Sequence, residues 1–269
     1  MSISTVMSCY YQDDPDYFQE AFISILNQSC PPEEIVIVAD GPLSEGLKNI
    51  VTEVEKNPIV SVIWFEENYG LGAARHRAIE ECSGDFVAVM DADDISINDR
   101  FESQLAAFQE FEVDIVGGYI REFSDSNEAI RKVPLKHQEI FSSGRNRSPF
   151  NHVSVMFKRD AYFKSGGYRP IRGVEDYDLW HRMLMSGCRG MNIPKILVDV
   201  RFGANDIGRR RGITYLKCWL NLLWNMYQSG YIGLFRLLGL GVLHSVTRLL
   251  PSRLVVLYYP LLRSRSPKQ

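Results

Sequence analysis

The sequence predicts an α/β protein: a mostly parallel sheet flanked by helices, followed by an amphipathic helical tail. Three observations carry this expectation. From Ile3 to Phe111, short apolar runs alternate with longer amphipathic ones, the pattern of a doubly wound sheet. The length of 269 residues, 45% of them hydrophobic, suffices for one large α/β domain with an appendage. Charge is also divided along the chain. Ile207 to Gln269 holds ten Lys/Arg and no Asp or Glu, whereas the preceding stretch is strongly acidic.

The apolar runs give strands at Ile3–Ser8, Glu34–Ala39, Ile59–Phe65 and Asp85–Met90. Between and after them, apolar residues at helical spacing give helices at Tyr17–Asn27, Ser44–Glu55, Gly72–Cys82 and Asn98–Phe111. Beyond Asp94 the pattern loosens. Val113–Phe123, Ala129–Val133 and Val153–Phe157 read as strands. Pro134–Pro149 is polar and reads as an irregular loop. A short helix starts at Arg159, Gly166-Gly167 forms a turn, and a further helix covers Tyr177–Met185. The boundary predicted from charge and composition separates residues 1–206 from a tail at 207–269.

In open α/β sheets, ligands bind beyond the carboxyl ends of the strands. Here those ends deliver Tyr10 after the first strand, Asp40-Gly41 after the second, and Asp91-Ala92-Asp93-Asp94 after the fourth. Three carboxylates within four positions repel one another unless a cation sits among them or one stays protonated. Mg²⁺ or Mn²⁺ takes hard oxygen ligands, usually one or two carboxylates together with phosphates. The turn that carries Asp91, Asp93 and Asp94 is therefore a candidate cation site. Asp94 reads equally as a third member of the site or as a cap of the next helix. The turn Asn68-Tyr69-Gly70-Leu71-Gly72 lacks the dinucleotide-binding spacing but can open a helix near a phosphate.

Other function classes are disfavoured. Cys9, Cys30, Cys82, Cys188 and Cys218 are scattered, which argues against a disulfide framework or a zinc cluster. Met1 to Thr5 lacks the basic and apolar regions of a secretory signal, so none is expected. Nucleic-acid binding is not expected, since the basic residues sit on an apolar, aromatic tail without a recognition motif. The tail's longest uncharged run, Cys218 to Phe235, is broken by Asn221, Asn225, Gln228, Ser229 and Gly230, which makes a poor transmembrane span. Its composition fits an anionic membrane surface; the competing reading is a basic lid packed on the body.

In order and spacing, Asp40-Gly41, Asn68 to Gly72, Asp91 to Asp94 and Glu175-Asp176-Tyr177-Asp178-Leu179-Trp180 resemble the motifs of family 2 glycosyltransferases with the GT-A fold. The resemblance covers roughly residues 3–200. Asp40-Gly41-Pro42-Leu43 and Asn151 to Phe157 are similar to the AmsE-like branch of bacterial exopolysaccharide and O-antigen enzymes. The chain departs from the family at Ala39, where many members have aspartate. It also departs at His76, where asparagine is common, and at Val153, where the branch often has proline.

The resemblance implies an inverting hexosyltransferase that uses a UDP-sugar and Mn²⁺ or Mg²⁺. Its acceptor would be a saccharide linked to a lipid diphosphate, at the cytoplasmic face of a bacterial inner membrane. It implies that Asp91 and Asp93 meet the ribose and the metal-bound diphosphate, and that Asp40 accepts from uracil N3–H. Asp176 would be the general base, with Glu175 orienting it or binding acceptor. Tyr10 is a candidate to stack on the base, and Arg75 to reach the diphosphate or brace the aspartates. His152 and Trp180 are candidates for the acceptor side, and Trp180 reads equally as core. Arg209-Arg210-Arg211 reads either as a grip on a diphosphate or as a solvated patch. Two other readings fit the residues less well. A nucleotidyltransferase needs a glycine-rich basic loop after the first strand, but Ser8 to Asp14 is acidic. A non-catalytic scaffold on the same fold is disfavoured by the intact Asp40, Asp91, Asp93 and Asp176.

Overall fold

The computed structural model describes residues 1–124, 128–169, 171–202 and 212–249. Arg209-Arg210-Arg211 lies outside the described residues. The chain divides into two compact units: Met1–Ile171 with Glu175–Phe202, and Arg172–Val174 with Gly203–Gln269.

The first unit is built on a mixed sheet dominated by parallel strands. Its first four long strands, β1 (Ile3–Cys9), β2 (Glu34–Ala39), β3 (Val60–Trp64) and β4 (Phe86–Val89), are parallel and lie in the order β3-β2-β1-β4. The helices α1 (Pro15–Leu26), α2 (Glu45–Val54) and α3 (Leu71–Glu81) alternate with them. After β1 the chain winds outward through β2 and β3, then returns to place β4 on the other side of β1. The crevice beyond β1 and β4 is thus the topological switch point, where ligands bind in such sheets. Every residue of β1 and β4 is buried, since both faces of the sheet are covered. One core gathers Val6, Val87, Val89 and Trp180 on one face; the other gathers Met7, Phe18, Ala88 and Phe101 on the opposite face.

The remaining elements extend the sheet past β4. They are β5 (Ile95–Ser96), α4 (Arg100–Glu110), β6 (Ile115–Phe123), β7 (Glu128–Arg131), α5 (His137–Ser143), β8 (Met156–Lys158), α6 (Arg159–Lys164), α7 (Glu175–Met185) and β9 (Gly190–Arg201). The order continues β4-β8-β6-β9-β5, with β8 antiparallel to β4 and β9 parallel to β6. Three features depart from the sequence reading. The 134–149 segment is not wholly irregular but contains α5, which has too few apolar positions to show a period. The strand expected over Val153–Phe157 begins instead with a 3₁₀ turn at His152–Ser154, and only Met156–Lys158 is strand. The turn is fastened by Asn151 Nδ2 donating to Gly118 O and Arg131 O, and by Ser154 Oγ accepting from Gly118 N–H at 3.1 Å. The third is the long β9, for which the sequence carried no expectation.

In the second unit, helices Ile213–Gln228 and Leu234–Leu249 pack on each other. Gly230, with φ of +76°, turns the chain between them. Tyr215 of the first helix lies against Gly173, whose φ is +82°; a Cβ there would come within 2.7 Å of the tyrosine ring. No helix among the described residues is long and apolar enough to cross a membrane.

Candidate active site

The site is assembled at the carboxyl edge of the first unit, from three strand ends and one helix start. β2 ends in Asp40, a buried carboxylate that accepts from Tyr69 N–H at 2.8 Å and Gly70 N–H at 2.9 Å, one on each oxygen. Asn68 Nδ2 in turn donates to Asp40 O at 3.1 Å. Asp40 therefore fastens the turn that opens α3. Gly41 permits that closeness: its φ is +89°, and a Cβ would meet Asn68 N at 2.8 Å. Each oxygen of Asp40 keeps a second lone pair, so accepting from a ligand donor is compatible with this clamp. Tyr10 leaves β1 half-buried. Its N–H donates to Asp13 Oδ2 at 2.9 Å and its hydroxyl to Gln12 Oε1 at 3.1 Å, while Asp14 caps α1. No basic side chain occurs in this loop, which is unlike a triphosphate grip.

The acidic turn after β4 divides its three carboxylates. Asp93 is exposed, Asp91 is partly buried, and Asp94 is buried at 2% exposure. Burial, then the charges of Asp91 and Asp93, push the Asp94 carboxyl well above its ordinary range. Its Oδ1 accepts from Arg201 N–H at 3.1 Å, tying the turn to the end of β9. Asp94 is thus the carboxylate that resists ionisation, and its visible work is structural.

Arg75 organises the rest. It projects from α3 with 1% exposure; one terminal nitrogen pairs with Asp91 Oδ1, and the other lies 3.2 Å from Asp176 Oδ1. Burial opposes its charge, but Asp91, Tyr168, Asp176 and Glu175 together hold the guanidinium above its usual range. One rigid cation therefore spans the end of β4 and the start of α7.

Glu175 and Asp176 open α7. Glu175 is buried, and its Oε2 has no hydrogen-bond partner among the described residues. The helix is locked by the pair Arg182–Asp178, with Nε to Oδ2 at 2.8 Å, while Arg182 also donates to Ser165 O at 2.7 Å and Gly167 O at 2.6 Å. His152 Nδ1 lies 3.3 Å from Asp176 Oδ1. Burial, then Arg75 and Arg100, push His152 well below its ordinary pKa, so it meets Asp176 as a neutral ring. Trp180 requires a correction. Its side chain is fully buried and packs on Phe150 at 5.5 Å and His152 at 5.9 Å between ring centroids. It backs the site from inside and does not line the acceptor side.

Two residues of this neighbourhood escaped the sequence reading. Tyr168 is buried beside His152, and burial, then Asp176, raises its hydroxyl above the usual range. Arg100 is fully buried beneath the acidic turn, donating to Val89 O at 2.9 Å and Val155 O at 3.3 Å. Neither carried a signal. Tyr168 follows a glycine turn, and Arg100 reads as an ordinary residue in the first turn of a helix.

Among the described residues, no group of three or more His, Cys, Asp or Glu makes an all-protein metal cage. The donor set of Asp91 and Asp93 instead fits a hard divalent cation that takes one or two carboxylates and completes its shell with phosphate and water oxygens.

Residues 4–172 match the model of Glycosyl transferase family 2, and the chain belongs to that family. It is 32% identical over 258 residues to the amylovoran biosynthesis glycosyltransferase AmsE of Erwinia amylovora, covering 95% of this chain and 97% of the relative. It is 34% identical over 233 residues to the Escherichia coli UDP-Gal:alpha-D-GlcNAc-diphosphoundecaprenol beta-1,3-galactosyltransferase, covering 85% and 84%. Among solved structures, S. aureus TarS 1–349 in complex with UDP-GlcNAc superposes with a TM-score of 0.69. That match covers 92% of this chain and 72% of TarS 1–349 at 16% identity, and so concerns the fold alone.

Proposed function

We propose that this glycosyltransferase moves a hexose, glucose or galactose, from a UDP-sugar to a saccharide acceptor carried on undecaprenyl diphosphate. The setting is the synthesis of a bacterial O-antigen, capsule or exopolysaccharide, at the cytoplasmic face of the inner membrane. The observation that carries the reading is Arg75 joining Asp91 to Asp176. It fixes a donor-side carboxylate and a base-side carboxylate on one guanidinium at the switch point of the sheet. The relatives support the acceptor class, since one of them is named for a diphosphoundecaprenol-linked substrate.

On this reading Tyr10 and Asp40 meet the uracil, and Asp91 and Asp93 face the ribose and diphosphate. The acceptor hydroxyl attacks the anomeric carbon as the bond to the diphosphate oxygen breaks, and its proton passes to Asp176. A carboxylate suffices as base because the hydroxyl acidifies as it attacks an oxocarbenium-like carbon. A single displacement inverts the configuration. Asp91 and Asp93 would hold Mn²⁺ or Mg²⁺, which when bound neutralises charge on the departing diphosphate. Arg75 holds Asp176 in place, and the neutral His152 ring lies beside it.

The test is calorimetric binding of UDP with and without Mn²⁺, for the wild type and Asp93→Ala. It is followed by transfer from UDP-galactose and UDP-glucose to a diphosphate-linked GlcNAc acceptor. Binding that needs the metal and is lost in the variant is the expected result. A folded wild type that binds no UDP under any metal condition rejects the UDP donor.

A further inference from the structure

The helical hairpin of the second unit is closed inside and apolar outside. Inside, Trp219 stacks on His244 with ring centroids 3.8 Å apart, and Arg248 lies 4.9 Å above the Tyr215 ring. Leu216, Leu222, Leu223 and Met226 are buried. Outside, the helix Leu234–Leu249 exposes Phe235 at 92%, Leu238 at 57%, Val242 at 65% and Val246 at 51%. Their spacing of three, four and four residues places them on one stripe. The helix Ile213–Gln228 carries a stripe of its own, with Trp224 at 49% exposure and Lys217 one to two turns before it. Between residues 212 and 249 the chain has Lys217, Arg236 and Arg248 and no acidic residue.

We infer that this hairpin docks on an anionic lipid bilayer, with the Phe235, Leu238, Val242 and Val246 stripe entering the acyl boundary and Lys217 and Arg236 meeting phosphate headgroups. The inference rests on the reading that the acceptor is lipid-linked, and says which part of the chain keeps the enzyme beside it. Charge and length choose the occupant. A second copy of the hairpin would bring like charges together with no acid to offset them, whereas an anionic headgroup layer complements them. No helix among the described residues is long and apolar enough to cross a membrane, and the 16 residues Leu234–Leu249 span about 24 Å against a hydrocarbon core of about 30 Å, which favours the surface. A large apolar stripe beside basic residues is the composition of an interfacial helix, and Trp224 suits the headgroup level.

The experiment is flotation of the full chain with vesicles of phosphatidylcholine alone or with a quarter phosphatidylglycerol. It compares the wild type with the double substitutions Phe235→Glu/Leu238→Glu and Val242→Ser/Val246→Ser. The expected result is wild-type flotation with the anionic vesicles only, reduced by salt. The glutamate pair should weaken it at least roughly tenfold and the serine pair less. Transfer to a water-soluble acceptor analogue should be unchanged in both variants. A wild type that does not float, or variants that float equally well, overturns the inference. Sedimentation velocity showing a wild-type dimer lost in the variants overturns it in favour of a second copy. Anionic flotation without any transfer upholds the docking surface and rejects the glycosyl-transfer reading instead.

Discussion

Above and below the end of β4, two arginines are sealed into the first unit near the same acidic turn. Arg75, above, is bonded to Asp91 and Asp176, and those partners raise its pKa. Arg100, below, is bonded to no carboxylate among the described residues. It is held by Val89 O, Val155 O and Gln104 Oε1, and burial lowers its pKa to about 9 despite the pull of Asp91 and Asp94. The difference teaches what a buried cation is for. Paired with carboxylates that reach the crevice, the charge places reactive groups. Paired with carbonyls, the same side chain stitches two strands where they diverge, and its charge serves only as a background field.

The largest effect should come from Arg75→Met. The substitution leaves Asp91 and Asp176 without their common partner, and an expected loss of roughly a hundred- to a thousandfold in kcat/KM follows from removing one preorganised charge. Arg75→Lys should recover only part of this, because an ammonium cannot span both carboxylates as a planar fork does. Steady-state kinetics with the UDP-sugar decide it; activity within a few fold of wild type in Arg75→Met would remove the residue from the site.

Arg100→Met should act on stability instead. It strands the Val89 carbonyl, at a cost of about 1–3 kcal/mol, while Val155 O keeps the Val89 N–H at 3.1 Å, and the cost is offset in part by removing a buried charge. Denaturant melts are expected to show this loss, with kcat/KM changed far less than in Arg75→Met. If the kinetic loss equals that of Arg75→Met, the contrast between the two arginines fails.

The smallest effect sharpens the field both arginines share. The Asp94 carboxyl is held above its ordinary 3.8 by burial and by Asp91 and Asp93. The native state thus keeps a proton that the unfolded chain has released, and stability falls as pH rises from that ordinary value through the folded one. Asp94→Asn removes this slope while retaining an oxygen for Arg201 N–H. In urea melts between about pH 4 and pH 8, the wild type should lose ground to the variant as pH rises. Parallel curves would show that Asp94 is not the proton holder.

The same line through the molecule separates what was legible in the sequence from what was not. β1 to β4 and α1 to α4 were readable because β1, β2 and β4 are apolar runs buried on both faces, the edge strand β3 is a short β-branched run, and each helix shows one apolar face. The motifs at their ends followed from strand order. β9 was invisible for a physical reason: Pro194 and Lys195 fall at a register shift, where Gly118 pairs with Ile193 and Tyr119 with Ile196. Trp180 was legible only as core or acceptor side, because an aromatic in a helix gives no sign of which side it faces, and the structure buries it. Arg75 was legible only as two alternatives, and the bracing of the aspartates is the one the structure displays. The strand expected at Val153 failed because Asn151 and Ser154 reach back to β6, a contact between distant segments that local spacing does not encode.

Gly173 sets a rule for modularity. It stands two residues before Glu175, yet with Arg172 and Val174 it falls in the same compact unit as Tyr215, whose ring is pressed against it. The second unit is therefore not one continuous stretch, and a graft that exchanges only the residues from 203 onward leaves residues 172–174 behind and parts the glycine from its ring. Residues 173 and 215 are therefore inherited together: a side chain at 173 would meet both the tyrosine ring and a backbone that favours glycine.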